Sequence, residues 1–423
     1  MIKKAYLLVA IAFTANFAIA QNLDDIKILT QIGQTVKAKE AIDKFMAVEK
    51  NAKKPDGWFY KGFIYNMVSK DTTKTFAESS ALKQEALGYL KKYREMDAKA
   101  ELLAEQNNSP FFDIYSVYAS DLGVKSYTNK DFASAFEYFK KALDVHDYLV
   151  ANNLNGANGF KFSPIDTILT LYTGIAGSEA KMKDEAMPYF KKLADANIGG
   201  DQNLDIYQQL TDYYKIKKDN TAFYNVLDKG RKLYPQNEEY WMAIETENAT
   251  EDVKAPALFT KFEELLAKHE NNYNIHYNYG VELYHFINAQ ENRTVNTDQY
   301  KTKMIAILKK AVTIKSTSEA NFILANFLYN NSIDISDEAR KIRGPKPEDL
   351  KKKKELNALS TKTMDESIPY AVAVVNLFPS ITKPKSAHKI NYKQALVILK
   401  NIYELKKDAV KVAAYEKQIA AAE

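Results

Sequence analysis

Two short stretches of the chain carry residue types at spacings that can hold a metal ion. Glu282 and His285 stand three apart in Glu282-Leu283-Tyr284-His285, which puts a carboxylate and an imidazole on one helical face. Di-metal bundles need that pair twice, with further glutamates. No second copy occurs, so the pair reads as ordinary helix surface. Asp201, Asn203, Asp205 and Asp212 imitate the ligand spacing of a helical calcium loop, but Ile206 stands where that loop requires glycine to turn. Cysteine is absent, which excludes disulfides, thiolate metal sites and a cysteine nucleophile. No nucleophile elbow, phosphate loop, dinucleotide fingerprint or zinc-peptidase helix is present. The residues therefore predict a non-catalytic protein with no cofactor and no metal, its many acidic pairs being surface charge.

The elements that would position any site are helices. Of 423 residues, 46% are hydrophobic and 27% charged, enough to bury a core. The 14 glycines and 11 prolines supply too few turns for a protein built of many short strands. The net charge of +5 comes from 59 basic and 54 acidic residues, without the basic excess by which phosphate binders gain affinity, so nucleic acid is not an expected partner. Lys3 and Lys4, the apolar stretch Ala5 to Phe17 and Ala18-Ile19-Ala20 have the charge, length and small residues of a cleaved secretory signal peptide over residues 1–20. No later run is apolar and long enough to span a membrane, and the cysteine of a lipoprotein anchor is missing, so a periplasmic or secreted location is expected.

A phrase recurs along the remainder. Ala135, Phe139 and Ala142, then Ala86, Leu90 and Tyr93, then Ala186, Phe190 and Leu193, each set a small residue, a large apolar one four later and another apolar or small one three after that, on one helical face. Gly123 and Gly174 stand twelve positions before Ala135 and Ala186, as expected where two helix backbones approach closely in a hairpin. The small position continues as Ala41, Phe223, Leu258, Met304, Ser367 and Val412, giving about nine units. Asp184-Glu185-Ala186-Met187-Pro188-Tyr189 and Asp365-Glu366-Ser367-Ile368-Pro369-Tyr370 agree at four of six positions and read as duplicated helix starts. Junction loops are expected at 70–80, 152–159, 199–200, 288–298 and, as the longest insertion, 332–361. A last helix is expected from Tyr392 to Ala422.

Trp58, Gly62 and Tyr65, then Tyr207, Leu210, Tyr214, Leu227, Gly230 and Pro235, with Trp241 opening the next unit, resemble the tetratricopeptide repeat (TPR) family, whose unit is two antiparallel helices. Lys61 departs from the family's usual leucine. The abundance of Lys, Asn and Tyr without Cys is similar in style to exported TPR proteins of Bacteroidetes. The resemblance implies an all-α superhelix, a solenoid of about nine degenerate hairpins, continuous over residues 21–423.

In that family the first helix of each unit lines a concave groove. Counting one, five and eight positions from each marker carries this over to Phe59, Phe63 and Asn66; Gln208, Asp212 and Lys215; Tyr277, Val281 and Tyr284; and Ile323, Phe327 and Asn330. This groove has few basic residues, Lys215 among them, and so departs from the lysine-and-asparagine pattern with which family members clamp acidic chaperone tails. The resemblance implies a scaffold or adaptor that binds a protein or peptide partner. Glycan binding is the alternative, because starch-utilisation-type binding proteins of Bacteroidetes contain such units. The densest basic run, Arg340 to Lys346 and Lys351 to Lys354, reads as a solvated loop and helix extension, its functional alternative being docking of an acidic partner or an anionic lipid surface.

Overall fold

The computed structural model describes residues 22–289 and 296–422; the signal peptide expected over 1–20 lies outside them. Among the described residues the regular structure is all helical, in nine successive hairpins. The pairs are α1 (Leu23–Gln31) with α2 (Thr35–Met46), α3 (Pro55–Val68) with α4 (Phe76–Met96), and α5 (109–128) with α6 (Phe132–Ala151). Next come α7 (Thr167–Glu179) with α8 (Lys183–Asp195), α9 (Leu204–Ile216) with α10 (Asn220–Leu233), and α11 (Glu238–Thr250) with α12 (Ala257–Lys268). The last are α13 (Tyr273–Asn288) with α14 (Asp298–Ile314), α15 (Ser318–Lys341) with α16 (Pro347–Leu377), and α17 (Ser386–Leu405) with α18 (Ala409–Ala421).

Each small position picked out by the repeat pattern lies in the second helix of its pair, and Ala86, Ala135, Ala186 and Ser367 are fully buried. One contact explains the spacing of the pattern. A Cβ added to Gly62, Gly123, Gly174 or Gly280 would lie closer than 3.0 Å to Leu90, Phe139, Phe190 or Leu308 respectively, each the apolar residue four after the small position. Glycine on the first helix therefore makes room for the large side chain of the second, which is how the hairpin closes to native packing density.

A shared turn joins many of the pairs. Gly33, Lys130, Lys181, Lys218 and Lys407 all have positive φ, and the residue after each donates its N–H to the carbonyl five positions back, at 2.9 to 3.0 Å. This is the Schellman closure of a helix end. After Lys130, Lys218 and Lys407 comes an aspartate, Asp131, Asp219 or Asp408, whose carboxylate caps the next helix by accepting from the third amide onward. One helix stops and the next starts within three residues.

The chain forms two compact units, dividing between Trp241 and Met242 inside α11. In the first, Ile26, Ile42, Phe45, Ile64 and Val68 form a core among α1, α2 and α3. Phe59, Leu90, Phe111, Tyr118, Phe136 and Phe139 build a larger one around α3 to α6. Trp241 covers Gly230, and its indole donates to the Tyr234 carbonyl at 3.0 Å. In the second unit, Phe259, Phe262, Tyr279, Leu283, Met304 and Leu324 form one core. Ala325, Ala371, Val374, Ala395, Leu399 and Ile402 form another.

Three expectations are corrected. The segment 332–361 is not a loop: α15 runs on to Lys341 and α16 begins at Pro347. Only 342–346, with Gly344 and Pro345, breaks the run, because the flanking Asp, Glu, Lys and Ala residues are helix-compatible. Residues 76–80, expected in a loop, open α4, where Thr75 and Glu78 form a reciprocal capping box. The terminal helix is two helices, broken at Lys407.

Candidate partner-binding clefts

In each unit, first helices of neighbouring hairpins line an open cleft. The cleft of the first unit lies between α5 and α7 and has a volume of about 540 Å³. Buried Phe139 and Leu169 floor it. Tyr115, Ala119, Ser120, Val124 and Tyr127 form the α5 wall, and Ile168 and Tyr172 the α7 wall. Residues 117–124 of α5 are π-helical, a rare local widening that recurs at functional sites, and Ser120 and Val124 belong to it.

Asp166 closes one end of this cleft. One carboxylate oxygen caps α7 by accepting from the Leu169 amide at 2.9 Å, and the other accepts the Tyr115 hydroxyl. Burial, reinforced by the Asp166 carboxylate, pushes the Tyr115 phenol well above its ordinary pKa, so it stays a neutral donor. Tyr127 meets Tyr172 edge to face at 5.6 Å. The lip is apolar and wet: Val124 is 51% exposed and Ile168 71%.

The cleft of the second unit, about 400 Å³, lies between α11 and α13. Its apolar floor is Met242, Phe262 and Val281. Thr246, Glu247 and Thr250 face Asn274, Asn278 and Glu282 across it. Amides, carboxylates and threonine hydroxyls share this cleft with apolar groups, whereas aromatic and aliphatic groups dominate the first.

A third cavity, of about 510 Å³, adjoins the turn after α3. Its wall includes Asp113, which accepts from Asn66 and Lys83 at 2.8 Å and from Lys70 at 2.7 Å. Burial alone would raise the Asp113 carboxyl, but hydrogen bonds from Lys70 and Lys83 outweigh it and hold the group below the usual range. Burial pulls the Lys83 ammonium down, against the opposing pull of Asp113. The donors and acceptors here satisfy one another.

The nine groove residues derived from the repeat register fall as follows. Phe59 and Phe327 are core side chains, and Asn66 is buried, its amide bonded to Asp113 and Lys83. Phe63 stacks on Phe59 and is half-buried. Gln208 is half-buried on α9 and Asp212 exposed. Tyr277 stacks on Tyr273, Tyr284 meets His285, and both tyrosines are half-buried. Asn330 is exposed. None of the nine lines either cleft, whereas Val281, from the same count, does.

On α3 the reason is that the helix packs on two sides and serves two cores, so a fixed offset from Trp58 lands inside. The register does reach the aromatic cleft when counted from glycine. Four positions before Gly123 is Ala119, and the same offsets then give Ser120, Val124 and Tyr127, all lining it. Of the two metal-like spacings, His285 is exposed and Glu282 lines the polar cleft, while Asp201, Asp205 and Asp212 are exposed. Among the described residues no group of three His, Asp or Glu is placed to hold a metal ion.

No family model matches the chain, and no curated protein matches it. Solved structures similar to it include the TPR domain of P58(IPK), at 12% identity over 90% of this chain and 97% of that one, with a TM-score of 0.26. Yeast Tom70 matches at 15% identity over 95% and 91%, with a TM-score of 0.21. A human IFIT1 dimer with m7Gppp-AAAA matches at 11% identity over 94% and 80%, with a TM-score of 0.19. At such identities and TM-scores, the all-α hairpin-repeat fold stands on the recurrent glycine contacts and turns described above.

Proposed function

We propose that the protein is an exported, non-catalytic scaffold that holds a protein partner by a peptide segment seated in the α5–α7 cleft. The observation that carries this is the exposed apolar lip of Val124 and Ile168 beside Tyr127 and Tyr172, over a cavity large enough for one or two side chains. Contiguous apolar surface of this kind marks interaction sites on soluble proteins, and tyrosines beside it supply rigid anchors at low entropic cost. The occupant this favours is an extended or helical segment presenting a branched aliphatic or aromatic side chain, its backbone or a polar neighbour reaching Ser120 or Asp166. Export rests on the amino-terminal sequence.

The test is capture on the mature protein from cell-envelope extract, followed by the same capture with Ile168→Asp. A partner retained by the native form and lost with the variant supports the reading. Equal retention by both removes the cleft from it. A glycan is the second reading, favoured by the half-exposed ring of Tyr172 in the same cleft as the Asp166 carboxylate, since sugars stack on such rings and bond to such oxygens. Calorimetric titration with soluble polysaccharides decides between them.

A further inference from the structure

The basic run that the cleft reading leaves unused lies at the end of the α15–α16 hairpin. Residues 340–354 carry eight basic side chains, Arg340, Lys341, Arg343, Lys346 and Lys351 to Lys354, against two acidic ones, Glu348 and Asp349. That local charge of +6 exceeds the +5 of the whole chain, so the rest of the molecule is close to neutral.

The hairpin carries this charge outward. Helices α6 and α8 begin three residues before their small positions, Ala135 and Ala186, whereas α16 begins twenty residues before Ser367. At 1.5 Å per residue the extra length is about 25 Å. Small residues keep the extended pair closed: Ser332 and Ala339 are fully buried, and the Ser360 hydroxyl donates to the Ser332 carbonyl at 2.7 Å. Beyond Ala339, no residue from 340 to 359 is buried. Arg340 pairs with Asp337 at 2.9 Å, but among the described residues no ion pair engages Arg343, Lys346 or Lys351 to Lys354. Leu350, 57% exposed, stands amid these lysines.

We propose that this two-helix arm is a peripheral docking device for an anionic phospholipid surface. Clustered lysines near such a surface each add attraction, and the effects multiply. An acidic protein would require only the charge. An exposed leucine ringed by lysines also suits the headgroup boundary, where apolar side chains insert and ammonium groups reach phosphate. Among the described residues no helix is long and apolar enough to cross a membrane, so the contact is made by the tip alone.

The experiment is co-sedimentation of the mature chain with vesicles of pure phosphatidylcholine and of phosphatidylcholine with one-third phosphatidylglycerol. Native protein is expected to bind the anionic vesicles only and to release in 0.5 M salt. Changing Lys351, Lys352, Lys353 and Lys354 together to glutamine should weaken binding by on the order of a thousandfold. Leu350→Ser should weaken it several-fold at unchanged charge. Leu350, Lys351, Lys352 and Lys354 are exposed and Lys353 is half-buried, so circular dichroism should show native helix content in both variants. Absent binding, equal binding to both vesicles, or undiminished binding by the glutamine variant overturns the proposal. Capture of soluble polyglutamate without vesicle binding overturns it in favour of an acidic protein partner.

Discussion

The ammonium of Lys83, a side chain with no exposed surface, lies 2.8 Å from the carboxylate of Asp113, thirty positions away, and so ties α4 to α5. Asn66 on α3 completes the group, accepting from Lys83 at 2.6 Å and donating to Asp113 at 2.8 Å. Removing one partner of a buried pair strands the other, so Asp113→Ala is expected to destabilise the protein by about 3 kcal/mol. Lys83→Met should cost less, because Asp113 keeps Lys70 and Asn66. Urea unfolding of the two variants beside the native chain measures the difference.

The same carboxylate predicts a pH dependence. Its folded pKa lies below the ordinary aspartate value of 3.8, so folding favours the ionised form. The stabilisation is complete above that value and is lost as pH falls through the lower, folded one. Asp43, held by Lys61, Lys39 and the Tyr65 hydroxyl against the effect of burial, adds in the same direction. Thermal midpoints should hold steady from pH 7 to 5 and drop below pH 4, with a shallower drop in Asp113→Asn.

Gly174 and Gly88 should respond oppositely to alanine. A Cβ at Gly174 meets the Phe190 ring, whereas one at Gly88 meets nothing within 4 Å. Gly174→Ala should cost about 1–3 kcal/mol by overpacking. Gly88→Ala, inside α4, should add roughly 0.5–1 kcal/mol by removing a flexible residue from a helix. Denaturant midpoints of the pair give the sign directly.

Lys130, Lys218 and Lys407 hold positive φ at the hairpin turns, a conformation that costs a side-chain-bearing residue about 1–2 kcal/mol relative to glycine. Part of that is offset by glycine's extra freedom when unfolded. Each Lys→Gly change is therefore expected to raise stability by about 0.5 kcal/mol, and the triple change should sum nearly additively because the turns are far apart in the chain. Calorimetry of the triple variant checks it.

Ile168→Asp and Tyr172→Ala should abolish capture of a cleft-bound partner while moving the unfolding midpoint little, since exposed positions usually lie within about 0.5 kcal/mol. Phe59→Ala and Phe327→Ala should do the reverse, losing about 3–5 kcal/mol because both rings are core. A binding loss that appears only together with unfolding would remove the cleft from the function.

Much of the repeat was legible because hairpin packing imposes local rules. A small residue, then a large apolar one four later, can be read wherever a helix lies on a close neighbour, and Gly123 with Phe139 is that rule in three dimensions. The groove was less legible. A helix buried on two sides, such as α3, gives no periodic signal for which face is open, and the π-helical stretch of α5 shifts the faces of the residues after it. The turn at Lys130 was hidden for another reason: lysine is not a residue that announces positive φ.

The helical class, the pairing of helices into about nine units, the absence of cysteine chemistry and the concentration of charge near residue 350 all follow from residue type and spacing along the chain. The three-dimensional packing was needed to show that Phe59, Asn66 and Phe327 are inside, that Val124, Ile168 and Tyr172 are outside around one cleft, and that 332–361 is an arm rather than a loop. Exposure depends on which helices lie beside a residue, and that is set by contacts between segments tens of residues apart, which no local pattern encodes.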